Sequence, residues 1–258
     1  MKTLNEFFSE EIEHIKGGIE KYNEKELYGY KLPEDWDIVE LGEIFQEVSK
    51  KERKIKIEGD KEYMLILTKL YAKGVELKEI KRGEEIKAKE MYVVKKGDFI
   101  FSKIRAKQGA FGFISKELEG AVVSSEHPIL GLDRTIANEL FVFYYLSQPI
   151  VWEEFRKYSK GFGDKTRTKV PEFLSVKIAL PPLEEQKKIA YVLRTIQRAI
   201  EHQDKIIEIT RGLKKSLMHR LFTKGLDVNQ PTKQTDIGEV PEHWELKQIK
   251  NIWRGNYW

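Results

Sequence analysis

Two stretches of this 258-residue chain concentrate side chains able to engage a phosphate backbone or a base edge. Between Lys95 and Ser115 five cations (Lys95, Lys96, Lys103, Arg105, Lys107) face one acid, Asp98. Between Arg156 and Lys169 six (Arg156, Lys157, Lys160, Lys165, Arg167, Lys169) face one acid, Asp164. Both runs carry glycine and hydroxyl residues, a composition that lets a loop approach phosphate closely while Arg, Lys or Gln reaches a base. The chemistry they suit is recognition of duplex DNA. The DNA-contacting set read from the sequence is Lys69 and Lys73 in the loop 68–74, Lys103, Arg105, Lys107 and Gln108 in the first cluster, and Lys160, Lys165, Arg167 and Lys169 in the second. An ordinary solvated surface would carry such runs too, so the signal lies in the two occurring in loops of one domain.

Catalytic patterns are weak. No phosphate-binding loop followed by Lys and Ser/Thr occurs, and Gly161-Phe162-Gly163 follows a predicted helix, the wrong context for a dinucleotide site. The five histidines lack ligand-like spacing, and the absence of cysteine removes disulfides, thiolate metal sites and cysteine nucleophiles. Leu180-Pro181-Pro182-Leu183 has the centre of the tetrapeptide with which amino-methyltransferases hold a flipped base, but leucine at both ends supplies neither the hydrogen bond nor the stacking ring. Glu76-Leu77-Lys78 could be half of a nuclease motif, although no convincing partner aspartate precedes it.

The elements that must position the basic loops read as an α+β chain. Forty-six lysines and arginines against 42 acids leave a formal charge of +4, which permits nucleic acid without requiring it. No run of eighteen apolar residues is present and the N-terminus is too acidic for a signal peptide, so the expectation is a cytoplasmic protein without a membrane span. Apolar spacing predicts an amphipathic helix from Leu4 to about Glu26, strands at 63–67, 99–101, 109–114, 121–123, 128–130 and 175–180, and a helix over 138–158 broken at Pro149.

A much longer helix then opens at Pro181-Pro182-Leu183-Glu184-Glu185, with proline at its first position and carboxylates in its first turn. Ile189, Val192, Ile196, Ala199, Gln203, Ile206, Thr210, Leu213 and Leu217 recur at steps of three and four, a coiled-coil seam. Leu193, Ile200 and Ile207 form a second row beside it. Such a helix either packs along its own domain or reaches out to pair, and the width of its apolar face favours pairing.

The chain also begins to repeat itself. Leu32-Pro33-Glu34-Asp35-Trp36-Asp37-Ile38 returns as Val240-Pro241-Glu242-His243-Trp244-Glu245-Leu246, and Ile44-Phe45 returns as Ile252-Trp253 at the same offset. One complete repeat plus the opening of another is the expectation.

The run from Pro171 to Ala190, with its Leu-Pro-Pro-Leu-Glu-Glu-Gln core at 180–186, resembles the junction between target-recognition domain and conserved helix in specificity subunits of type I restriction–modification systems. Pro33-Glu34-Asp35-Trp36 and its echo at 241–244 resemble the segments that open each target-recognition domain there. Lys96 to Lys103 and Val122-Val123-Ser124-Ser125 are similar to the same family. The resemblance implies an N-terminal helical segment at 1–29, a DNA target-recognition domain at 30–180, a conserved dimerising helix at 181–225, and a linker with the start of a second repeat at 226–258. It further implies a chain that is not itself an enzyme and binds no cofactor, reading double-stranded DNA for methyltransferase subunits that use S-adenosylmethionine and for a restriction subunit. With one recognition domain, the chain is expected to pair as an antiparallel homodimer through its long helix. The alternatives are a coiled-coil assembly scaffold with merely solvated basic loops, and a solitary nuclease built on Glu76.

Overall fold

A computed structural model describes residues 22–158, 167–227 and 229–249. The chain divides into two compact units, residues 1–194 and 195–258. In the first unit, β1 (Tyr22–Leu27) and β2 (Tyr30–Pro33) form an antiparallel hairpin. Its two turn residues, Tyr28 and Gly29, both have positive φ, 56° and 82°, the primed-turn conformation whose twist matches paired strands. The predicted helix is therefore wrong over residues 22–26. Strand pairing anchored by this turn overrides an amphipathic period that Tyr, Asn and Glu only weakly support. The remainder of that helix, from Leu4, lies outside the described residues.

The chain continues through β3 (Asp37–Glu40), the single turn α1 (Leu41–Ile44), β4 (Phe45–Glu47), the single turn α2 (Lys50–Arg53) and β5 (Lys54–Lys56). Then follow β6 (Glu62–Thr68), β7 (Val75–Arg82), β8 (Glu90–Val93), β9 (Phe99–Phe101), β10 (Phe111–Phe113), β11 (Val122–Val123) and β12 (Ile129–Leu132). Helices α3 (Glu139–Leu146), α4 (Pro149–Tyr158) and α5 (Val170–Leu174) precede β13 (Lys177–Leu180) and the long α6 (Leu183–Lys224). One sheet has the order β10-β9-β12-β4, a second β5-β8-β11-β6-β7, and β13 pairs antiparallel with β3.

Strand β9 explains how two cores share one domain. Alternate side chains of a strand leave on opposite faces. Phe99 and Phe101 enter an aromatic core with Phe45, Phe111, Phe155 and Phe173, while Ile100 enters a second cluster with Ile66, Val94, Ile114 and Val123. Buried on both faces, β9 carries an unbroken apolar run instead of an alternating one. Phe173 holds the aromatic core together: its ring stacks on Phe101 at 4.2 Å and on Phe155 at 4.7 Å between centroids, within 8° of parallel in both cases. Each such pair contributes about 0.5–1.5 kcal/mol beyond area burial.

The helices stop and start on identifiable chemistry. The Asn138 carboxamide caps α3 by accepting from the Leu140 and Phe141 amides at 3.1 Å. Proline cannot continue α3, and Pro149 instead opens α4 where its missing N–H costs nothing. The start of α6 is clamped by Gln186, which is fully buried. Its Nε2 donates to Pro181 O (2.8 Å) and Ile136 O (3.0 Å), and its Oε1 accepts from the Asn138 amide at 2.7 Å. The Trp36 indole N–H donates to Glu185 Oε1 at 3.2 Å, tying the Pro-Glu-Asp-Trp turn to the same helix start.

In the second unit, α6 ends at Gly225, whose φ of +70° is the left-handed conformation common after a helix. Strands β14 (Thr232–Thr235) and β15 (Gly238–Pro241) then form a hairpin. Its register reproduces that of the first hairpin 208 residues earlier: Leu27 opposes Tyr30 and Glu26 opposes Lys31, as Thr235 opposes Gly238 and Gln234 opposes Glu239. The turn that follows is shared as well, with Trp36 N donating to Pro33 O and Trp244 N to Pro241 O.

Candidate nucleic-acid interface

Four loops of the first unit are joined by backbone hydrogen bonds into one cluster. The tip of the β6–β7 loop is pinned to the β9–β10 loop: the Tyr71 amide donates to Gln108 O at 2.8 Å and the Ala72 amide to Gly109 O at 2.9 Å. The β9–β10 loop is in turn held by the β11–β12 turn, where the Lys103 amide donates to Glu126 O at 3.0 Å and Lys103 Nζ to Ser125 O at 2.8 Å. The segment before α5 joins through the Thr168 amide, which donates to Lys103 O at 2.8 Å. Lys103 thus stands where the two basic clusters meet.

This packing leaves no room for side chains at two positions. Gly109 has φ +73°, and a Cβ there would lie 2.6 Å from the Trp152 ring and 2.9 Å from the Ala72 amide nitrogen. A Cβ on Gly112 would approach Gly74 Cα to 3.0 Å. The alternation of glycine and aromatic residues over 109–114 reflects this close approach of two loop backbones.

The sequence-derived residues fall out as follows. Lys69 pairs with Glu76 at 2.8 Å and Arg167 with Glu126 at 3.3 Å, while Lys73, Arg105, Gln108 and Lys169 are exposed and Lys103 and Lys107 half-buried. Exposed pairs of this kind contribute only about 0–1 kcal/mol, so a phosphate can replace the carboxylate without a large loss of stability. Lys160 and Lys165 lie outside the described residues. Glu76, the nuclease candidate, sits on β7 bonded to Lys69, and among the described residues no group of His, Asp and Glu could hold a metal ion.

Sequence reasoning missed the polar support beneath the cluster. Arg53 Nη2 donates to Asp98 Oδ1 at 3.0 Å, and Asp98 also accepts from the Lys95 amide at 2.7 Å, closing the Lys95–Asp98 turn. Burial pushes the Asp98 carboxyl up, opposed by the Lys95 amide and the Arg53 charge. Burial drives the His127 imidazole below its usual range, opposed by the Glu126 charge, and its Nε2 lies 3.5 Å from Thr68 Oγ1. Arg53 Nη1, Glu126 Oε2 and His127 Nδ1 are buried without a partner among the described residues. The Lys95-Lys96-Gly97-Asp98 run reads as a turn in the sequence, and that turn is the signal from which the role of Asp98 could be found.

Along α6 the predicted seam changes character. Ile189 packs against the aromatic core, Val192, Ile196 and Ala199 are half-buried, and Gln203, Ile206, Thr210, Leu213 and Leu217 are exposed. Thr210 turns its hydroxyl back to Ile206 O at 2.7 Å. In the described residues no helix is long and apolar enough to cross a membrane.

The profile described as type I restriction modification DNA specificity domain matches residues 33–211. The chain belongs to the type I restriction–modification specificity family. The match takes in every described loop of the cluster and about the first two thirds of α6. The type I restriction enzyme MjaVIII specificity subunit of Methanocaldococcus jannaschii is 33% identical over 241 residues, covering 91% of this chain and 54% of that protein. A putative MjaX specificity subunit from the same organism is 28% identical, covering 86% of this chain and 53% of that protein. In fold, the chain is similar to the crystal structure of the HsdS subunit from Thermoanaerobacter tengcongensis, with a TM-score of 0.55 at 18% identity over 75% of this chain and 50% of that one. This specificity-family chain spans about half the length of the curated relatives it matches.

Proposed function

We propose that this chain reads one half of a split duplex DNA target on behalf of partner subunits. The observation that carries the reading is the joining of three cation-bearing loops through Lys103, Gln108 and Gly109. Lysines of the cluster set register on phosphate, and Arg105, Gln108 and Arg167 reach base edges. Methyl transfer with S-adenosylmethionine belongs to methyltransferase subunits, and cleavage to a restriction subunit. The chain pairs through α6 as an antiparallel coiled coil, which presents two recognition domains to the two halves of the target. The nuclease alternative loses ground because Glu76 is engaged by Lys69 and, among the described residues, no group of His, Asp and Glu is placed to hold a metal ion.

Binding of the full chain, with and without a methyltransferase subunit, to duplexes selected from a randomised pool tests this. Affinity is expected to fall steeply with salt. Arg105→Ala and Arg167→Ala are each expected to cost about 1–3 kcal/mol on the selected site and to relax preference at particular positions. Lys73→Ala is expected to weaken all duplexes alike and to flatten the salt dependence by about one phosphate contact. Unchanged selectivity in both arginine variants would displace the recognition surface from these loops.

A further inference from the structure

The β6–β7 loop holds two consecutive residues in an unusual backbone conformation. Tyr71 and Ala72 both lie in the left-handed region, at φ 60° and 51°. Consecutive non-glycine residues are disfavoured there because Cβ crowds the backbone, and Asn, Asp or Gly would relieve most of the strain. The strain is imposed and held: both amides are locked to Gln108 and Gly109, and the loop is closed at its base by the Lys69 amide on Gly74 O at 2.8 Å. A strained residue would be expected to bury its side chain in return. Tyr71 instead is 65% exposed. Its ring lies against Trp152, 6.3 Å between centroids. Trp152 is itself immobilised, its indole N–H donating to Leu146 O at 2.8 Å, and it fills the space above Gly109. The result is an exposed aromatic residue with a polar tip, its backbone held against the loop that carries Arg105 and Gln108 and two residues from Lys73.

Resting on the reading of these loops as the DNA-contacting surface, we propose that Tyr71 is a specificity-determining residue that contacts a base pair of the target. Tyrosine suits this role because its ring presents apolar area to a base face or a thymine methyl at little entropic cost, while its hydroxyl can donate or accept at a base edge. Carrying no charge, it adds nothing to phosphate neutralisation. Its loss should therefore alter which sequences are preferred and leave the salt dependence alone, the opposite of the behaviour expected for Lys73. Strained backbone concentrates where function over-determines it, and here the local strain supports an exposed side chain.

The test uses the full chain and a randomised duplex pool, with Tyr71→Gly and Tyr71→Phe as variants. Glycine relieves the φ strain, so Tyr71→Gly should fold with an unfolding midpoint at or above that of the parent. It should retain non-specific duplex affinity and the salt slope, and lose roughly tenfold in discrimination at one base-pair position. Tyr71→Phe should retain the ring-dependent part of that preference. A parent chain that enriches a motif which Tyr71→Gly enriches equally overturns the assignment while leaving the DNA reading intact. A Tyr71→Gly chain that loses affinity for all duplexes and changes salt slope makes Tyr71 a phosphate-side or loop-shaping residue and overturns it too. A parent that binds no duplex overturns both.

Discussion

Gln186 shows how much a single buried polar side chain can decide in this fold. Its carboxamide satisfies two carbonyls and one amide drawn from two segments: the proline pair before α6 and the 133–138 turn that ends on the cap of α3. Removing it strands all three groups away from water, and each buried unsatisfied group costs about 1–3 kcal/mol unless water enters. Gln186→Ala is therefore expected to destabilise the first unit by about 3 kcal/mol or more, measured by denaturant unfolding. Gln186→Glu keeps the acceptor for Asn138 but puts a carboxylate against two carbonyl oxygens, and should fare no better. A loss under about 1 kcal/mol in the alanine variant would mean that water replaces the carboxamide. The same residue illustrates what pattern-reading overlooks: a lone glutamine after two glutamates, four residues past a proline pair, gives no sign in the sequence that it will be fully buried.

At the scale of elements, the interface depends on loops that touch backbone to backbone. Gly109→Ala must find room for a methyl against both the Trp152 ring and the Ala72 amide, at a φ that alanine disfavours. Strain and overpacking together point to a loss of about 2–4 kcal/mol and to separation of the 68–74 loop from the 105–109 loop. Gly120, also at positive φ (+83°) but with open space around it, is the control: Gly120→Ala should cost only about 1–2 kcal/mol. Thermal unfolding of the two variants separates crowding from conformation. Much of this layer was legible beforehand. The strands around 63–67 and 99–101, the break at Pro149 and the long helix all follow from local period and proline chemistry. β7 escaped because Glu, Lys and Arg dominate its exposed face, leaving only Val75, Leu77 and Ile80 as a thin apolar signal. The basic loops were legible as charge, but their junction through Lys103 and Thr168 was not, because residues 65 apart in sequence meet only through tertiary folding. Tyr71 was invisible for the same reason, since its strain is defined by partners 37 residues away.

For the whole molecule, the question is what covers α6. Over 42 residues the helix is roughly 60 Å long at about 1.5 Å per residue. Past the point where Ile189 packs on the aromatic core, Ile200, Ile206, Ile207, Leu213 and Leu217 are all exposed in the single chain. An apolar row of that length is a partner surface in most proteins that carry one. Two copies in antiparallel register would cover it by closing the row on itself about a two-fold axis. Gln203 and Thr210 within the seam would then weaken the pairing while restricting its register, as polar seam residues do elsewhere. The prediction is a dimer at micromolar concentration by sedimentation, released to monomer by Ile206→Glu with Leu213→Lys. Both positions are solvent-facing in the single chain, so the paired substitution should leave the unfolding midpoint of the first unit unchanged. Glu and Lys also preserve helix propensity, which excludes simple unravelling of α6 as the cause of dissociation. A parent chain that sediments as a monomer, or a doubly charged variant that remains fully dimeric, would remove self-pairing and leave a different partner as the cover for this face.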